Sequence, residues 1–373
     1  MKTEQIFELV NLINAEALGS EALQATDGRS LVAMGEQVLS SQHNTEIFLN
    51  TLVQRIGKTY ISHRAYKNQL SGLMMDNFEF GAIVQKVKVK MPAAKKDDAY
   101  DLVDGSSVDP WIISKPKARQ NFFSKRTPYS FFITIQEEPT LQEAFTSADV
   151  MGAFIAAVFG EMQNRLELTA ENLARLTMAN YMAHLKKSGK KTQVYDLVTM
   201  YNAETGKRLT AASAKHDSEF LRYAVGIMST VSEYMSYMST EYNAEGEERH
   251  TPLDKQFLAL TIDFESRLKR VVLWEAFNKE FVSKAAQMSV PYWQAAENRE
   301  SIDINIEEDG ESVKANNIIG FLFDREALGA LLQYKAVRTT NVNARALYYN
   351  TWWHQRELWF NDLSENAVLF TLN

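Results

Sequence analysis

A single helical pattern, far longer than an ordinary globular helix, does most to limit what this chain can become. Val150, Phe154, Val158, Met162, Leu166, Leu173 and Leu176 recur at helical spacing, and the pattern persists to about Leu185 before Gly189 ends it. About 38 residues at 1.5 Å each make a helix of roughly 57 Å. Helices of globular proteins usually run about 8–20 residues. The pattern therefore predicts the spine of an elongated molecule, or a break near Thr169. Ser147 or Asp149 is placed to cap it, and Thr140-Leu141-Gln142-Glu143 upstream fits a capping box.

On the N-terminal side, Ile6, Leu9, Val10 and Ile13 predict one short amphipathic helix. Ile47, Phe48, Leu52, Val53 and Ile56 predict another, ending at Gly57, with a turn at Thr26-Asp27-Gly28 between them. From Lys86 to Met91 the chain alternates Lys with Val or Met, the pattern of a strand with one charged face. Phe131-Phe132-Ile133-Thr134-Ile135 is the strand expected to match it. The intervening 92–119 is rich in Lys, Asp, Gly, Ser and Pro, so the unit reads as a long β-hairpin with a polar tip. Residues 81–130 hold ten Lys or Arg and five Asp, a basic arm on a chain whose net charge is −7.

After the long helix the types mix. Val194 to Tyr201 and Phe257 to Ile262 suit strands, and Ser218 to Tyr242 suits a Met- and Tyr-rich helix. Ile302, Ile304 and Ile306 alternate ahead of Asp309-Gly310, a hairpin signal. Ile318 to Phe323 reads as a buried strand, Asp324 as the N-cap of a further helix, and Ala346 to Phe370 as aromatic and strand-like. The fold class is α+β.

Composition excludes several chemistries. The chain has no cysteine, which rules out disulfides, thiolate metal sites and a cysteine nucleophile. A net acidic charge argues against a dedicated nucleic-acid binder. The most apolar stretch, Val150 to Gly160, is about half the ~20 residues of a membrane span, and the N-terminus lacks a signal-peptide pattern. The expectation is a soluble protein of a reducing cytoplasm.

No catalytic motif stands out. Gly57-Lys58-Thr59 resembles the end of a phosphate-binding loop, but Leu52 occupies the position where that loop needs glycine. His43, His63, His184, His216, His250 and His354 are dispersed, none at the i, i+4 spacing of paired metal ligands. His354 and Glu357 form a metal or acid–base candidate amid Trp352, Trp353 and Trp359, against the alternative of a structural histidine in an aromatic sheet. Asn305, Glu307, Glu308 and Asp309 weakly suggest a calcium loop, but Asn316 stands where a bidentate Glu belongs. No cofactor and no metal are expected. Elaborate architecture without chemistry raises the case for a structural or assembly protein.

Four segments carry a family resemblance. They are Phe48-Leu49-Asn50-Thr51-Leu52-Val53-Gln54-Arg55-Ile56-Gly57, Tyr129 to Ile135 leading into Leu141-Gln142-Glu143-Ala144-Phe145, His250 to Gln256, and Tyr348-Tyr349-Asn350-Thr351-Trp352-Trp353-His354. With the order of elements, they make the chain resemble the major capsid proteins of tailed bacteriophages, the Hong Kong 97-like fold, and especially those of small short-tailed phages of the phi-29 type. The resemblance implies a helical arm and entry to the P-domain at 1–78 and an E-loop hairpin at 79–136. It further implies a P-domain with its spine helix at 137–190, an A-domain at 191–345, and a C-terminal strand at 346–373 returning to the P-domain. By the same likeness the chain lacks the immunoglobulin-like domain some relatives carry.

The function so implied is self-assembly into hexamers and pentamers of an icosahedral or prolate head that encloses double-stranded DNA. The chain would be made in the bacterial host cytoplasm and end in the virion. Expected partners are the chain itself, a scaffolding protein, a portal, and packaged DNA touched non-specifically; no membrane is expected. Lys115, Lys117, Arg119, Lys125 and Arg126 are the candidate inter-subunit contacts, and no motif selects a crosslinking lysine among Lys115, Lys117 and Lys125. A compartment shell of the encapsulin kind and an unrecognised soluble α+β enzyme remain as alternatives.

Overall fold

The computed structural model describes residues 3–19, 22–56, 70–73, 84–89, 118–136, 140–270, 286–306 and 311–373, with single positions between 104 and 115. In chain order the first elements are helices α1 (Thr3–Leu18), α2 (Gly28–Leu39) and α3 (Gln42–Ile56), then strands β1 (Val84–Val89), β2 (Ala118–Phe123) and β3 (Arg126–Gln136). Next come α4 (Gln142–Ala144), α5 (Ala148–Ile155), a π-helical turn (Ala156–Gly160) and α6 (Glu161–Ser188). They are followed by β4 (Val194–Asp196), α7 (Leu197–Thr205), α8 (Ala211–Ala214), α9 (Ser218–Met235), β5 (Gln256–Thr261) and α10 (Ile262–Leu268). The chain closes with β6 (Ala286–Val290), β7 (Ile302–Ile306), β8 (Glu311–Ala315), β9 (Ile318–Asp324), β10 (Leu328–Thr339), β11 (Tyr348–Asn361) and β12 (Ala367–Thr371).

The chain divides into two compact units, each assembled from distant segments. The first comprises Met1–Glu79, Arg126–Arg175 and Ala330–Trp359. Ile6, Val10 and Ile13 of α1, Leu31, Met34 and Val38 of α2 and Phe48, Leu49 and Leu52 of α3 join one core with Met151, Phe154 and Ile155 of α5. Asp27 caps α2 by accepting from the Ser30 amide, and Ser147 caps α5 by accepting from the Val150 amide. Gly35 is required by contact, since a Cβ there would lie 2.6 Å from Cβ of Phe145. The sheet of this unit has the order β10-β11-β3, and β3 runs antiparallel to β11 with Ile133 opposite Thr351. Alternation sends Tyr129, Phe131, Ile133 and Ile135 toward the core and leaves Phe132 outward, stacked on Trp352 at 4.5 Å.

The second unit comprises Phe80–Lys125, Leu176–Gly329 and Phe360–Asn373. Its five-stranded sheet has the order β4-β12-β9-β5-β6. β9 is antiparallel to both β12 and β5, while the outer pairs β12–β4 and β5–β6 are parallel. Every residue of β5, β9 and β12 is buried, as expected of strands covered on both faces. Leu258, Leu260, Ile319, Leu322, Val368 and Phe370 pack with Phe220, Leu221, Ala224, Met228 and Val231 of α9. On the other face, Phe321 and Phe323 stack at 4.8 Å, and Tyr181 of α6 lies 5.7 Å from Phe321. Gly320 lets this sheet close, because a Cβ there would meet Cδ2 of Leu260 at 2.9 Å.

Several expectations are corrected. The partner of the alternating strand β1 is β2, not Phe131 to Ile135, which pair with β11. Asp324 starts no helix. It ends β9, its carboxylate accepts from the Glu326 amide and the Thr251 hydroxyl, and the apolar run after it enters β10. Val194 to Tyr201 is strand only to Asp196 and then becomes α7. The helix begun at Ser218 ends at Met235, short of Tyr242. No capping box forms at Thr140: the residue before α4 is Leu141, which has no side-chain cap. Helical structure continues past Thr169 without a break, but Val150 and Leu176 of the supposed stripe are exposed. The helix stop at Gly57, most of the polar hairpin tip and the turn at Asp309-Gly310 lie outside the described residues.

Candidate functional site

The chemistry of this chain concentrates where β1 and β2 meet the second unit's own surface. β1 alternates in burial, and the sense is inverted. Val87 and Val89 are 55% and 56% exposed, while Lys86 and Lys88 are turned inward. The register places Asn121 opposite Lys86 and Arg119 opposite Lys88, so these four share the inner face. Phe122 of β2, 59% exposed, shares the outer face with the valines.

The inner face meets the turn between β11 and β12. Lys88 Nζ lies 2.7 Å from Asp362 Oδ2 and 2.7 Å from Glu365 Oε1, and it also donates to the Ser364 hydroxyl. Lys86 Nζ lies 2.6 Å from Glu365 Oε1, 3.1 Å from Asp362 and 3.2 Å from Glu326. Both carboxylates are buried, as are Ser364 and Asn366 beside them. The turn is braced from below by Tyr181, whose buried hydroxyl donates to the Glu365 carbonyl at 2.9 Å. Burial pushes the Asp362 carboxyl up, but hydrogen bonds from Lys88 and Ser364 and the two ammonium charges outweigh it and hold the pKa at about 2. Burial opposes the Glu365 carboxylate likewise, and Lys86 and Lys88 hold its pKa below the ordinary value. Burial also works against the Lys86 ammonium, yet Glu365 and Asp362 keep its pKa above the usual lysine value. Further out, Arg119 pairs with Glu245 and Glu247, and Arg249 with Glu247.

Of the candidate contact residues, Arg119 is thus engaged by carboxylates of its own chain. Lys115, Lys125 and Arg126 are exposed, and Lys117 lies outside the described residues. Sequence reasoning missed Asp362, Glu365, Glu245 and Glu247. Their only signal was the surplus of lysines on one strand face, which calls for acids somewhere in the fold.

The acid–base candidate does not assemble. Glu357 is buried and accepts from the Tyr129 hydroxyl at 3.0 Å, the Gln355 amide at 2.5 Å and the Trp359 indole at 2.8 Å. His354 stands three residues away on a strand, which sends it to the opposite face, where it stacks on Trp352. His216 faces the guanidinium of Arg267. Among the described residues no three of His, Cys, Asp or Glu gather as metal ligands, and no helix is long and apolar enough to cross a membrane. His63, Lys58 and Thr59, and Glu307 to Asp309 of the supposed calcium loop, lie outside the described residues.

Comparison with known proteins bears on the whole chain. The family model for Phi29-like phage major capsid proteins matches residues 10–371. The major capsid protein of Streptococcus phage Cp-1 is 25% identical over 336 residues, spanning 87% of this chain and 82% of that protein. That of Bacillus phage B103 is 21% identical over 250 residues, spanning 64% of this chain and 54% of that protein. Among solved structures, one of native bacteriophage P68 (head fiber and inner core protein gp22) matches with a TM-score of 0.53 and 11% identity over 84% of this chain and 87% of that one. The capsid structure of Staphylococcus phage Andhra matches with a TM-score of 0.51 and 12% identity, covering 84% and 87%. At these identities the structures speak for the fold alone, and it is the Hong Kong 97-like capsid fold.

Proposed function

The chain belongs to the Phi29-like phage major capsid protein family, and from that premise we propose how it builds its shell. It is the major capsid protein of a tailed phage, forms the head shell and is a component of the virion. The observation that carries this is a family match running from residue 10 to residue 371, nearly end to end.

The finer reading is ours. The subunits gather as hexamers and pentamers with the help of a separate scaffolding protein, attach to a portal, and enclose double-stranded DNA that they touch without sequence preference. The segment 79–136, with its β1–β2 ribbon, serves as the E-loop and the helix from α5 through α6 as the P-domain spine. The mixed region 191–345 serves as the A-domain. Lys115, Lys117, Lys125 and Arg126 are the candidate contacts with neighbouring copies. Such exposed charges favour orientation and encounter more than affinity. The role is structural and not enzymatic. Supporting this, Glu357 is consumed by three neutral donors and faces away from His354.

Co-expression with the phage scaffolding protein tests the reading. Sedimentation should reveal megadalton species and electron microscopy closed shells. A monodisperse monomer under every condition overturns it. Replacing Lys115, Lys117, Lys125 and Arg126 together by Glu should leave the circular dichroism unchanged and reduce shell yield, and normal shells at low salt would remove these residues from the interface.

A further inference from the structure

The basic face of the hairpin root is spent inside the subunit. Lys86 and Lys88 bring two positive charges to Asp362 and Glu365, which bring two negative ones, and four of the N···O separations lie between 2.6 and 3.1 Å. Every element around the cluster contributes charge: Lys86 and Lys88 from β1, Arg119 from β2, Glu326 from the turn before β10, and Asp324 from the end of β9. Glu245, Glu247 and Arg249 come from the loop after α9, and Arg249 Nε lies 3.8 Å from Glu365 Oε2. The Lys88 side chain is only 9% exposed, so neither water nor a second protein has ready access to its ammonium group.

We propose that Lys86 and Lys88, with Asp362 and Glu365, form an internal latch that fixes the root of the hairpin to its own subunit and turns the neutral face bearing Val87, Val89 and Phe122 outward. Each of these four residues is a positioning residue. In a shell the same carboxylates recur on every neighbouring copy, so an unlatched strand has many wrong partners to choose from. The internal route wins because the two lysines are tethered beside their acceptors at an effective concentration on the order of millimolar or more. Buried pairs are screened far less than surface pairs, so the latch stays closed in salt that dissolves surface contacts. The Asp362 pKa of about 2 and a Glu365 pKa held below its ordinary value leave both carboxylates ionised, so the latch also stays closed across the neutral range.

Charge reversal with complementation tests this. One chain carries Lys86→Glu and Lys88→Glu, a second carries Asp362→Lys and Glu365→Lys, and a third carries all four. Hydrogen exchange is read on the unassembled subunit, so the result does not depend on whether shells form. Peptides covering residues 84–89 and 118–123 report the latch, and peptides covering β5 and β9 report the fold. Each double variant should exchange about tenfold faster or more at the hairpin root with β5 and β9 still protected. The quadruple variant should recover protection, and mixing the two double variants should not. Recovery on mixing would place the pairing between copies and overturn the proposal, as would unchanged protection in either double variant. If reversal unfolds β5 and β9, a milder chain with Lys86→Met, Lys88→Met, Asp362→Asn and Glu365→Gln is read in the same way. Parent-like protection at its root overturns the latch, and about tenfold loss upholds it.

Discussion

Two strand pairs of the second unit, β1–β2 and β7–β8, solve the same problem in opposite ways. Each is a two-stranded antiparallel ribbon, and each alternates apolar with polar residues on its first strand. In β7 the apolar set goes inward: Ile302, Ile304 and Ile306 are buried, Asp303 and Asn305 face solvent, and Lys314 reaches Asp303 across the outer surface at 3.1 Å. In β1 Lys86 and Lys88 go inward and Val87 and Val89 out. The difference lies in what each ribbon rests on. Where the underlying surface offers buried carboxylates, as at Asp362 and Glu365, the charged face has the lower free energy inside. Alternation thus states which residues share a face, and only the facing surface decides which face is hidden.

The comparison sharpens most under Asp362→Ala. Removing one member of a buried ion pair while its partner stays costs about 3–5 kcal/mol. Denaturant unfolding should record a loss of that order, with hydrogen exchange locating it at β1 and β2. Ile304→Ala should follow at about 2–3 kcal/mol, a transfer-plus-cavity cost felt at β7 and β8. Acid should then separate the ribbons. Asp362 and Glu365 have folded pKa values below their ordinary 3.8 and 4.5, so their contribution is whole above those values and is lost as pH falls through the folded values, about 2 for Asp362. Between about pH 4 and pH 2 the exchange of β1 should accelerate ahead of that of β7. The smallest effect belongs to Val87→Ala, expected within about 0.5 kcal/mol in the unassembled subunit because the side chain is already in water. A cost for Val87→Ala matching that of Ile304→Ala would mean that the two ribbons do not differ.

Much of the architecture was legible in the chain itself. The N-terminal helices, the long helix, the buried run Ile318 to Phe323 and the alternation of Ile302, Ile304 and Ile306 all appear where local pattern places them. These signals are carried by periodicity, which needs no knowledge of partners. What failed depends on distant contacts. β3 joined β11, more than two hundred residues later in sequence, instead of β1, because strand pairing is decided by shared burial and not by proximity alone. Asp324 has an N-cap's chemistry, but Thr251 and the Glu326 amide claim its carboxylate. The latch residues were half visible. Lys86 and Lys88 stood out on their strand, and nothing near Asp362 or Glu365 announced that they would be buried against it.

The π-helical turn at Ala156–Gly160 divides the long helix between α5 and α6. Such a turn carries one residue more than the α-helical turn on either side, so the residues after it are rotated relative to those before it. Here the enlarged turn keeps Val158 and Phe159 buried, and Phe159 meets Trp353 edge-on at 5.8 Å. The two halves of the long helix are therefore out of α-helical register by one residue, and an apolar stripe read at a constant 3.6-residue spacing cannot run true through both.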